Sequence, residues 1–297
     1  MPELPEVQAH AERLSTDFAG EALTAFRLLS FSALKTVQPS PDDAIGMSLL
    51  GFGRRGKLLL AHFGEPGSAG TDPAKAAEWA EFAKLTFVIH LMQAGRLIPD
   101  EKQSPRPKNG VARWTFESGR ALLLTEAGKE HKAGIWLMSG DPLSQAPLAG
   151  LGIEASSVTL DQLREVLAAK NQRLHGFLRD QSGLAGIGRM LANEICHRAE
   201  LSPFAMTRKL TDEDIVRLHQ AIQESIDAAL TNERTLDAMS KSADRPARVH
   251  HRKGEPCPIC GDTIRAVEYN AYEVDYCPRC QTGGKVLADN TTSKFLK

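Results

Sequence analysis

The chain has 297 residues, of which 42% are hydrophobic and 25% are charged, and its formal net charge is −1. This length suits two or three domains of ordinary globular composition, and the near-neutral charge argues against a protein coated in positive charge for non-specific nucleic-acid binding. No apolar run approaches the roughly 18 residues of a membrane span, so we expect no membrane partner and a cytoplasmic location.

The amino terminus carries the first candidate for chemistry, in the opening Met-Pro-Glu-Leu-Pro-Glu-Val. If Met1 is removed, Pro2 becomes a free secondary amine, which can attack a sugar carbon and form an iminium without another nucleophile. Glu3 would then stand beside it, placed to move protons. Alternatively, Pro2 only begins an extended segment.

The next segment predicts a helix that begins at about Pro5 and Glu6, which suit a first helical turn, and ends near Gly20. Its apolar residues recur at helical spacing: Val7, Leu14 and Phe18.

From about residue 21 to residue 138, short apolar runs alternate with Gly, Pro and Ser, which predicts the strands of a sandwich or barrel. The runs are 22–29, 47–52, 57–63, 86–91, 112–116, 121–124 and 135–138. Residues 64–84 interrupt this pattern and are interpreted as a mobile insertion.

Residues 141–151 are rich in Pro, Gly and Ser, which predicts a domain boundary, and the pattern beyond it is helical. Two capping boxes begin helices there, Thr159 with Gln162 and Thr211 with Asp214. These helices are expected to run to about residues 170 and 230.

Two further helical segments, 173–180 and 188–199, are joined by a glycine-spaced turn. Such a turn presents backbone N–H groups at the start of a helix, which is a ready site for an anion. A plain packing turn would have the same pattern.

Two Cys-x-x-Cys pairs near the carboxy terminus are separated by sixteen residues. This spacing predicts a tetrahedral zinc site on a hairpin, with four thiolates and therefore a structural role. Two disulfides in a secreted domain are disfavoured, because no apolar signal segment precedes them and Cys196 would be left unpaired. The four candidate ligands are Cys257, Cys260, Cys277 and Cys280.

The segment 241–254 leads into these cysteines and contains five lysines or arginines against one aspartate. His250 and His251 lie within it. The segment fits either a surface that contacts phosphates or a solvated linker.

These pieces, in this order, resemble the formamidopyrimidine-DNA glycosylase and endonuclease VIII family over nearly the whole chain. The resemblance rests on residues 1–7, on Gly-Arg-Arg-Gly-Lys at 53–57, on a helix-two-turns-helix pattern at 180–204, and on the approach to the zinc finger at 249–257. It implies a multidomain α+β protein. The implied parts are an amino-terminal helix plus β-sandwich that form the catalytic domain (1–140), a helix-two-turns-helix DNA-binding domain (151–232), a carboxy-terminal zinc β-hairpin finger (248–284) and a flexible tail (285–297).

The resemblance also implies a function: a monomeric base-excision-repair DNA glycosylase that cleaves abasic sites by β,δ-elimination. Its partner would be damaged DNA, either double-stranded or in single strands and bubbles, and the protein would associate with the nucleoid when bound to DNA. Pro2 would be the Schiff-base nucleophile, Glu3 the proton shuttle and Lys57 the residue that holds the phosphate beside the lesion, with Glu6 as a supporting carboxylate. The implied DNA contacts are Arg189, Met92, Gln93, Lys132, Arg252 and Lys253, and the implied cofactor is one structural Zn²⁺.

The chain departs from the family pattern at four places, one of which is the segment 235–249, shorter than the lesion-covering loop of the 8-oxoguanine enzymes. Arg189 replaces an asparagine that touches DNA phosphate, and Tyr272 replaces an arginine of the finger. In the family, one loop supplies an arginine and a phenylalanine that fill the gap left by the flipped base. In this chain residues 126–134 replace that loop and contain no aromatic wedge. Met92 or Gln93 would have to fill the gap. These departures leave a second reading open: a relative that binds damaged DNA or a DNA structure without excising a base.

Overall fold

The structure is a computed structural model, described for residues 1–66, 81–127, 131–269 and 272–287. Most of the expected insertion at 64–84, residues 128–130 of the replaced loop and most of the expected tail therefore lie outside the described residues. Within the described part, no helix is both long enough and apolar enough to cross a membrane.

The chain divides into two compact units. Unit 1 contains Met1–Pro2, Glu6–Gly150 and Asp237–Met239, whereas unit 2 contains Glu3–Pro5, Leu151–Leu236 and Ser240–Lys297. The expected boundary at 141–151 coincides with the change of unit after Gly150.

Unit 1 is built from helix α1 and a set of antiparallel strands. Helix α1 spans Leu4–Phe18, and its part from Glu6 onward belongs to unit 1. The strands in the described residues are β1 (Leu23–Leu28), β2 (Ser48–Arg55), β3 (Leu58–Gly64), β4 (Leu85–His90), β5 (Gly95–Pro99), β6 (Gly110–Phe116), β7 (Ala121–Glu126) and β8 (Gly134–Ser139). They form two four-stranded sheets, in the orders β2-β3-β4-β8 and β1-β6-β7-β5.

The two sheets and the helix share one apolar core. Phe87 of the first sheet meets Trp114 of the second edge to face, with ring centroids 5.6 Å apart. Helix α1 adds one apolar stripe, spaced by three and four residues, to the same core. Its members are Val7, Ala11, Leu14 and Phe18. The expectation of an amino-terminal helix with a β-sandwich is confirmed.

Strand β5 was not predicted. It has five residues and ends at Pro99, and only Gly95 and Leu97 within it are buried. Because β5 lies at the edge of its sheet, a proline is tolerated there, and no long apolar run marks the strand.

Unit 2 is mainly helical before its cysteine-rich end. Its elements are β9 (Ile153–Glu154), α2 (Leu160–Ala169), α3 (Leu174–Arg179), β10 (Leu184–Ala185), α4 (Arg189–Arg198), α5 (Asp212–Arg234), β11 (Arg265–Tyr269), β12 (Tyr272–Tyr276) and α6 (Pro278–Thr282). Both predicted capping boxes are present, at Thr159 and Thr211, and each stabilises its helix by about 1 kcal/mol. The short parallel pair β9–β10 and helix α6 were not predicted.

The helical core of unit 2 includes a residue from the far end of the sequence. Leu4 is 1% exposed and packs with Phe177, Leu184 and Ile187, among other apolar residues of the helices and turns. A separate small core lies under the cysteines and contains Val249 and Ile264 together with Cys257 and Cys277.

Candidate functional site

Glu3 is buried, and its carboxylate lies at the amino-terminal end of helix α4. It accepts hydrogen bonds from the backbone N–H groups of Gly188 (2.7 Å), Met190 (3.0 Å) and Leu191 (3.2 Å). N–H groups at the start of a helix have no partner inside it, and the helix dipole favours an anion there. The anion site indicated by the glycine-spaced turn is therefore occupied by a carboxylate of the same chain.

The glycines of this turn make room for residues 3 and 4. A Cβ on Gly188 would lie 2.3 Å from Cδ and Oε1 of Glu3. Gly186 has a φ of +106°, and a Cβ there would lie 2.6 Å from Cδ1 of Leu4, whose N–H donates to the Gly186 carbonyl oxygen (3.0 Å). The turn is thus a packing turn and an anion site at once.

Three loops of unit 1 emerge at one end of the sandwich. Leu58 at the start of β3 pairs with His90 at the end of β4, and His90 pairs with Gly134 at the start of β8. The β2–β3 turn, the β4–β5 turn and the loop before β8 are therefore neighbours. These loops carry four residues predicted to contact or act on DNA: Lys57, Met92, Gln93 and Lys132.

The first turns of helix α1 lie at the same end of unit 1. Gln8 Oε1 accepts a hydrogen bond from Arg54 Nε (3.0 Å), and Arg54 Nη1 donates to the Gly56 carbonyl oxygen (3.0 Å). Pro2 and Glu6, both buried, precede Gln8. Unit 1 thus brings its own candidate residues towards one end of the sandwich.

The turn between β4 and β5 has a tightly constrained backbone. Met92 adopts a φ of 54°, which is uncommon for a residue other than glycine. A Cβ on Gly95 would lie 2.0 Å from the Leu91 carbonyl oxygen, which accepts a hydrogen bond from the Gly95 N–H (2.8 Å). The turn therefore holds Met92 half-buried and Gln93 exposed in a defined geometry.

His90, the histidine beside Lys57, adds no positive charge to this end of unit 1. Burial lowers the pKa of His90 below its usual value, the nearby Lys57 lowers it further, and Glu126 raises it. The His90 imidazole is therefore neutral at pH 7 beside the Lys57 ammonium.

The four predicted metal ligands come together in unit 2. Their Sγ atoms lie within 4.8 Å of one another, with Cys257 and Cys280 3.9 Å apart and Cys260 and Cys277 3.4 Å apart. Zinc–sulfur bonds of about 2.3 Å would place the sulfurs of a tetrahedral site about 3.8 Å apart. The residues fit one zinc ion with no open coordination position, so the ion is structural.

Helix α4 holds the segment that leads into the first cysteine. The Glu194 carboxylate accepts hydrogen bonds from the N–H groups of Arg248 (2.8 Å), Val249 (3.0 Å) and His250 (2.9 Å). Three backbone donors on one carboxylate fix this segment against the helix. Sequence reasoning did not single out Glu194.

His197, one turn further along α4, was also missed. Its Nε2 lies 3.3 Å from Cys257 Sγ, a position from which a ring N–H donates to a metal-bound thiolate and orients it. The only sequence signal for these two residues is their spacing of three on a predicted helix, which puts both on one face.

Two basic residues of the segment 241–254, Arg252 and Lys253, form ion pairs within unit 2. Arg252 Nε lies 2.7 Å from Glu255 Oε2, and Lys253 pairs with Glu268. Exposed ion pairs of this kind contribute about 0–1 kcal/mol, which is weak enough to be exchanged for a phosphate.

The sequence-predicted site residues divide between the units. Unit 1 holds Pro2, Glu6, Lys57, Met92, Gln93 and Lys132, and unit 2 holds Glu3, Arg189, Arg252, Lys253 and the four cysteines. Within unit 2, Glu3 and Arg189 are brought together, because the N–H groups that bind Glu3 belong to the residues on either side of Arg189.

Comparison with known proteins identifies the family. The formamidopyrimidine-DNA glycosylase N-terminal domain matches residues 1–129, the H2TH domain of the same glycosylase matches residues 150–240, and a zinc finger found in FPG and IleRS matches residues 254–283. A formamidopyrimidine-DNA glycosylase of Heliobacterium modesticaldum is 30% identical over 298 residues, which cover 95% of this chain and 100% of the relative. The chain belongs to the formamidopyrimidine-DNA glycosylase family.

Two further relatives match this chain, one over nearly its whole length and one over about half of it. The enzyme of Pelotomaculum thermopropionicum is 27% identical over 293 residues, covering 95% of this chain and 99% of the relative. An uncharacterized formamidopyrimidine-DNA glycosylase-like protein of Mycobacterium tuberculosis is 41% identical over 162 residues, covering 54% of this chain and 100% of the relative.

Solved structures of the family have the same fold. MutM in complex with DNA that contains carbocyclic 8-oxo-G has a TM-score of 0.78 at 21% identity, covering 95% of this chain and 100% of that one. Lactococcus lactis Fpg in complex with abasic-site DNA has a TM-score of 0.78 at 22% identity, covering 94% and 99%. The expected combination of β-sandwich, helix-two-turns-helix region and zinc hairpin is confirmed.

Proposed function

We propose that this chain is a base-excision-repair DNA glycosylase that also cleaves abasic sites in damaged DNA. Family membership supports glycosylase chemistry, and the solved relatives hold DNA with an oxidised base or an abasic site. The observation that carries the proposal is the amino terminus, where Pro2 directly precedes a glutamate whose carboxylate is fixed by three backbone N–H groups.

The chemistry begins once Met1 is removed and Pro2 is a secondary amine. The target nucleotide is flipped out of the duplex, and the Pro2 nitrogen lone pair forms a bond to C1′ while the glycosidic bond breaks. The base leaves with the bonding electron pair and takes up the amine proton. The sugar ring then opens as the C1′–O4′ bond breaks, which leaves an iminium at C1′ while O4′ receives a proton through Glu3.

Strand cleavage follows from the same intermediate. The iminium acidifies the C2′ proton, and loss of this proton expels the 3′ phosphate by β-elimination. Loss of the C4′ proton then expels the 5′ phosphate by δ-elimination, and water hydrolyses the remaining imine to release Pro2. The bonds of Glu3 to helix α4 give it a second role as an anchor, because they fix the residue next to the nucleophile.

The remaining site residues are assigned by charge and position. Lys57 holds the phosphate beside the lesion, and Glu6 is a supporting carboxylate. We assign DNA contacts to Met92, Gln93, Lys132, Arg189, Arg252 and Lys253. The catalytic domain would be residues 1–140, the helix-two-turns-helix domain 151–232, the finger 248–284 and the tail 285–297, in a protein that acts as a monomer on nucleoid DNA in the cytoplasm.

Borohydride trapping on abasic-site DNA tests the nucleophile, because reduction of the imine joins the protein to the oligonucleotide. Wild-type protein should give an adduct that mass spectrometry locates at residue 2, and Pro2→Gly or retention of Met1 should abolish it. Pro5→Ala is the matched control and should be trapped normally. Undiminished trapping of Pro2→Gly would remove Pro2 from this role.

A second function, recognition of damaged DNA without excision, is favoured by two observations. Tyr272 stands where the family finger has an arginine, and the described residues of the loop at 126–134 contain no aromatic side chain. A protein of this kind would bind abasic-site DNA as tightly as the enzyme but would give no adduct and no released base. The same trapping experiment, run beside a binding titration, separates the two functions.

A further inference from the structure

A cleft of about 300 Å³ opens within unit 2 between the zinc hairpin and the start of helix α4. Arg189, the first residue of α4, lines the cleft, and so do His250 and His251 from the segment that precedes the first cysteine. The hairpin contributes Tyr269 and Tyr272. The cleft therefore joins cationic and aromatic side chains from separate parts of the sequence.

The two tyrosines form a stacked pair at the tip of the hairpin. They are the last cross-strand pair of β11 and β12, and their rings lie 4.7 Å apart with an interplanar angle of 11°. The Arg179 guanidinium lies 4.8 Å from the centroid of the Tyr272 ring, and Arg173 Nη1 donates to the Tyr269 hydroxyl (3.3 Å). The rings are thus held in place by each other and by two arginines, and both remain half-buried.

The charge of the cleft suits a nucleic acid. Each of its two glutamates is engaged by a neighbouring side chain, since Glu268 pairs with Lys253, and Glu273 Oε1 lies 2.8 Å from His251 Nδ1. The arginines on this side of unit 2 come from helices α3 and α4 and from the residue before α3. They are Arg173, Arg179 and Arg189.

We propose that this cleft binds one unpaired nucleotide of DNA, with the base against the Tyr269–Tyr272 pair and the phosphate at Arg189. Aromatic rings beside positive charge are the combination that binds single-stranded nucleic acid, because bases stack on the rings and phosphates pair with the cations. A base inside a duplex cannot do this, since its faces are already covered by its neighbours. The inference rests on the proposed function only in taking DNA as the ligand.

Binding of undamaged DNA tests the cleft without any chemistry. We would measure fluorescence anisotropy of a labelled ten-residue oligothymidylate and of a blunt undamaged duplex with Tyr269→Ala and Tyr272→Ala. Each variant should bind the single strand about five- to hundredfold more weakly, the effect of one stacked base, and should bind the duplex within about twofold of wild type. Tyr269→Phe and Tyr272→Phe keep the rings and should bind both DNAs like wild type.

A control at the other end of the same hairpin is Arg265→Ala, which removes an exposed positive charge and no ring. It should lower affinity for both DNAs by the same small factor. Equal losses on both DNAs for the tyrosine variants, or no loss on the single strand, would overturn the proposal. So would a lowered melting temperature with unchanged single-strand affinity, which would make the pair purely structural.

The position of the bound base provides an independent test of the proposal. An oligonucleotide with 5-iodouracil, irradiated on the protein, should cross-link to Tyr269 or Tyr272, and cross-links confined to other residues would contradict the proposal. Because this DNA is undamaged, loss of borohydride trapping in Pro2→Gly leaves these results unaffected, and the cleft can fail while trapping succeeds.

Discussion

Gly188 is a position at which a single added methyl group should disturb the Glu3 carboxylate. An alanine Cβ there would lie 2.3 Å from Cδ and Oε1 of Glu3. The backbone of Gly188 is extended, with φ −113° and ψ −158°, so alanine can adopt it without strain. Gly188→Ala therefore acts on the Glu3 carboxylate and not on the turn itself.

The size of the effect follows from the bonds that the carboxylate would lose. Hydrogen bonds to charged groups stabilise proteins by about 1.5–3 kcal/mol each, and three of them join Glu3 to helix α4. Water satisfies some of the released N–H groups, and alanine gains about 0.4–1 kcal/mol because its unfolded chain has less entropy than that of glycine. We expect a decrease of about 3–5 kcal/mol in the free energy of unfolding.

Urea unfolding followed by far-ultraviolet circular dichroism measures this change. Gly176→Ala is the matched control, because Gly176 lies in helix α3 and a Cβ there meets nothing within 4 Å. In Gly176→Ala the free energy of unfolding should increase by about 0.5–1 kcal/mol. In a Glu3→Ala background, Gly188→Ala should lose most of its effect. A loss below about 1 kcal/mol in the wild-type background, or the same loss with and without Glu3, would refute the reasoning.

Four further outcomes are expected. Cys277→Ser should lose the zinc and unfold the hairpin, which has little core of its own, and native protein without zinc by metal analysis would contradict this. Glu194→Gln should weaken the attachment of the segment at 248–250 by about 1–3 kcal/mol and speed tryptic cleavage after Arg248, whereas an unchanged cleavage rate would argue against the attachment. Burial lowers the pKa of His62 from 6.5 to about 4, so between these pH values the unfolded state binds more protons than the folded state. The free energy of unfolding therefore falls as the pH decreases from 6.5 towards 4, and His62→Gln should reduce this fall by up to about 1.4 kcal/mol per pH unit. An unchanged slope would exclude His62 as its source. In single-turnover assays, abasic sites and lesions in single strands, bubbles or mismatches should react about ten- to hundredfold faster than 8-oxoguanine opposite cytosine, because unstacking costs a few kcal/mol and the Arg-Phe wedge is missing; equal rates would mean that another side chain fills the gap.

The sequence predicted those parts of the molecule that are written in local patterns. The stripe of Val7, Leu14 and Phe18 predicted α1, and the capping boxes at Thr159 and Thr211 predicted the starts of two helices. The cysteine spacing predicted the metal cluster. Each of these features depends on residues that lie close together in the sequence, so their physical consequences can be derived before the chain folds.

The missed features depend on contacts between distant residues. Glu3 and Gly188 are 185 positions apart, and neither the acid nor the glycine indicates the other. Glu194 looks like an ordinary polar helix residue until the backbone N–H groups at 248–250 meet it. Likewise, Tyr272 was noted only as the loss of an arginine, because its stacking on Tyr269 and its contact with Arg179 require the hairpin and helix α3 to be in place.

The peptide at residues 3–5 makes the helical unit dependent on the opposite end of the chain. A fragment begun at Leu151 would contain every helix and cysteine of unit 2 but would lack Leu4 and the carboxylate of Glu3. It would therefore have an apolar hollow beside Gly186 and three uncapped N–H groups at α4. Residues 3–5 act as a built-in ligand for this hollow, and a synthetic peptide carrying them should complete the truncated unit, as a missing segment restores a split protein.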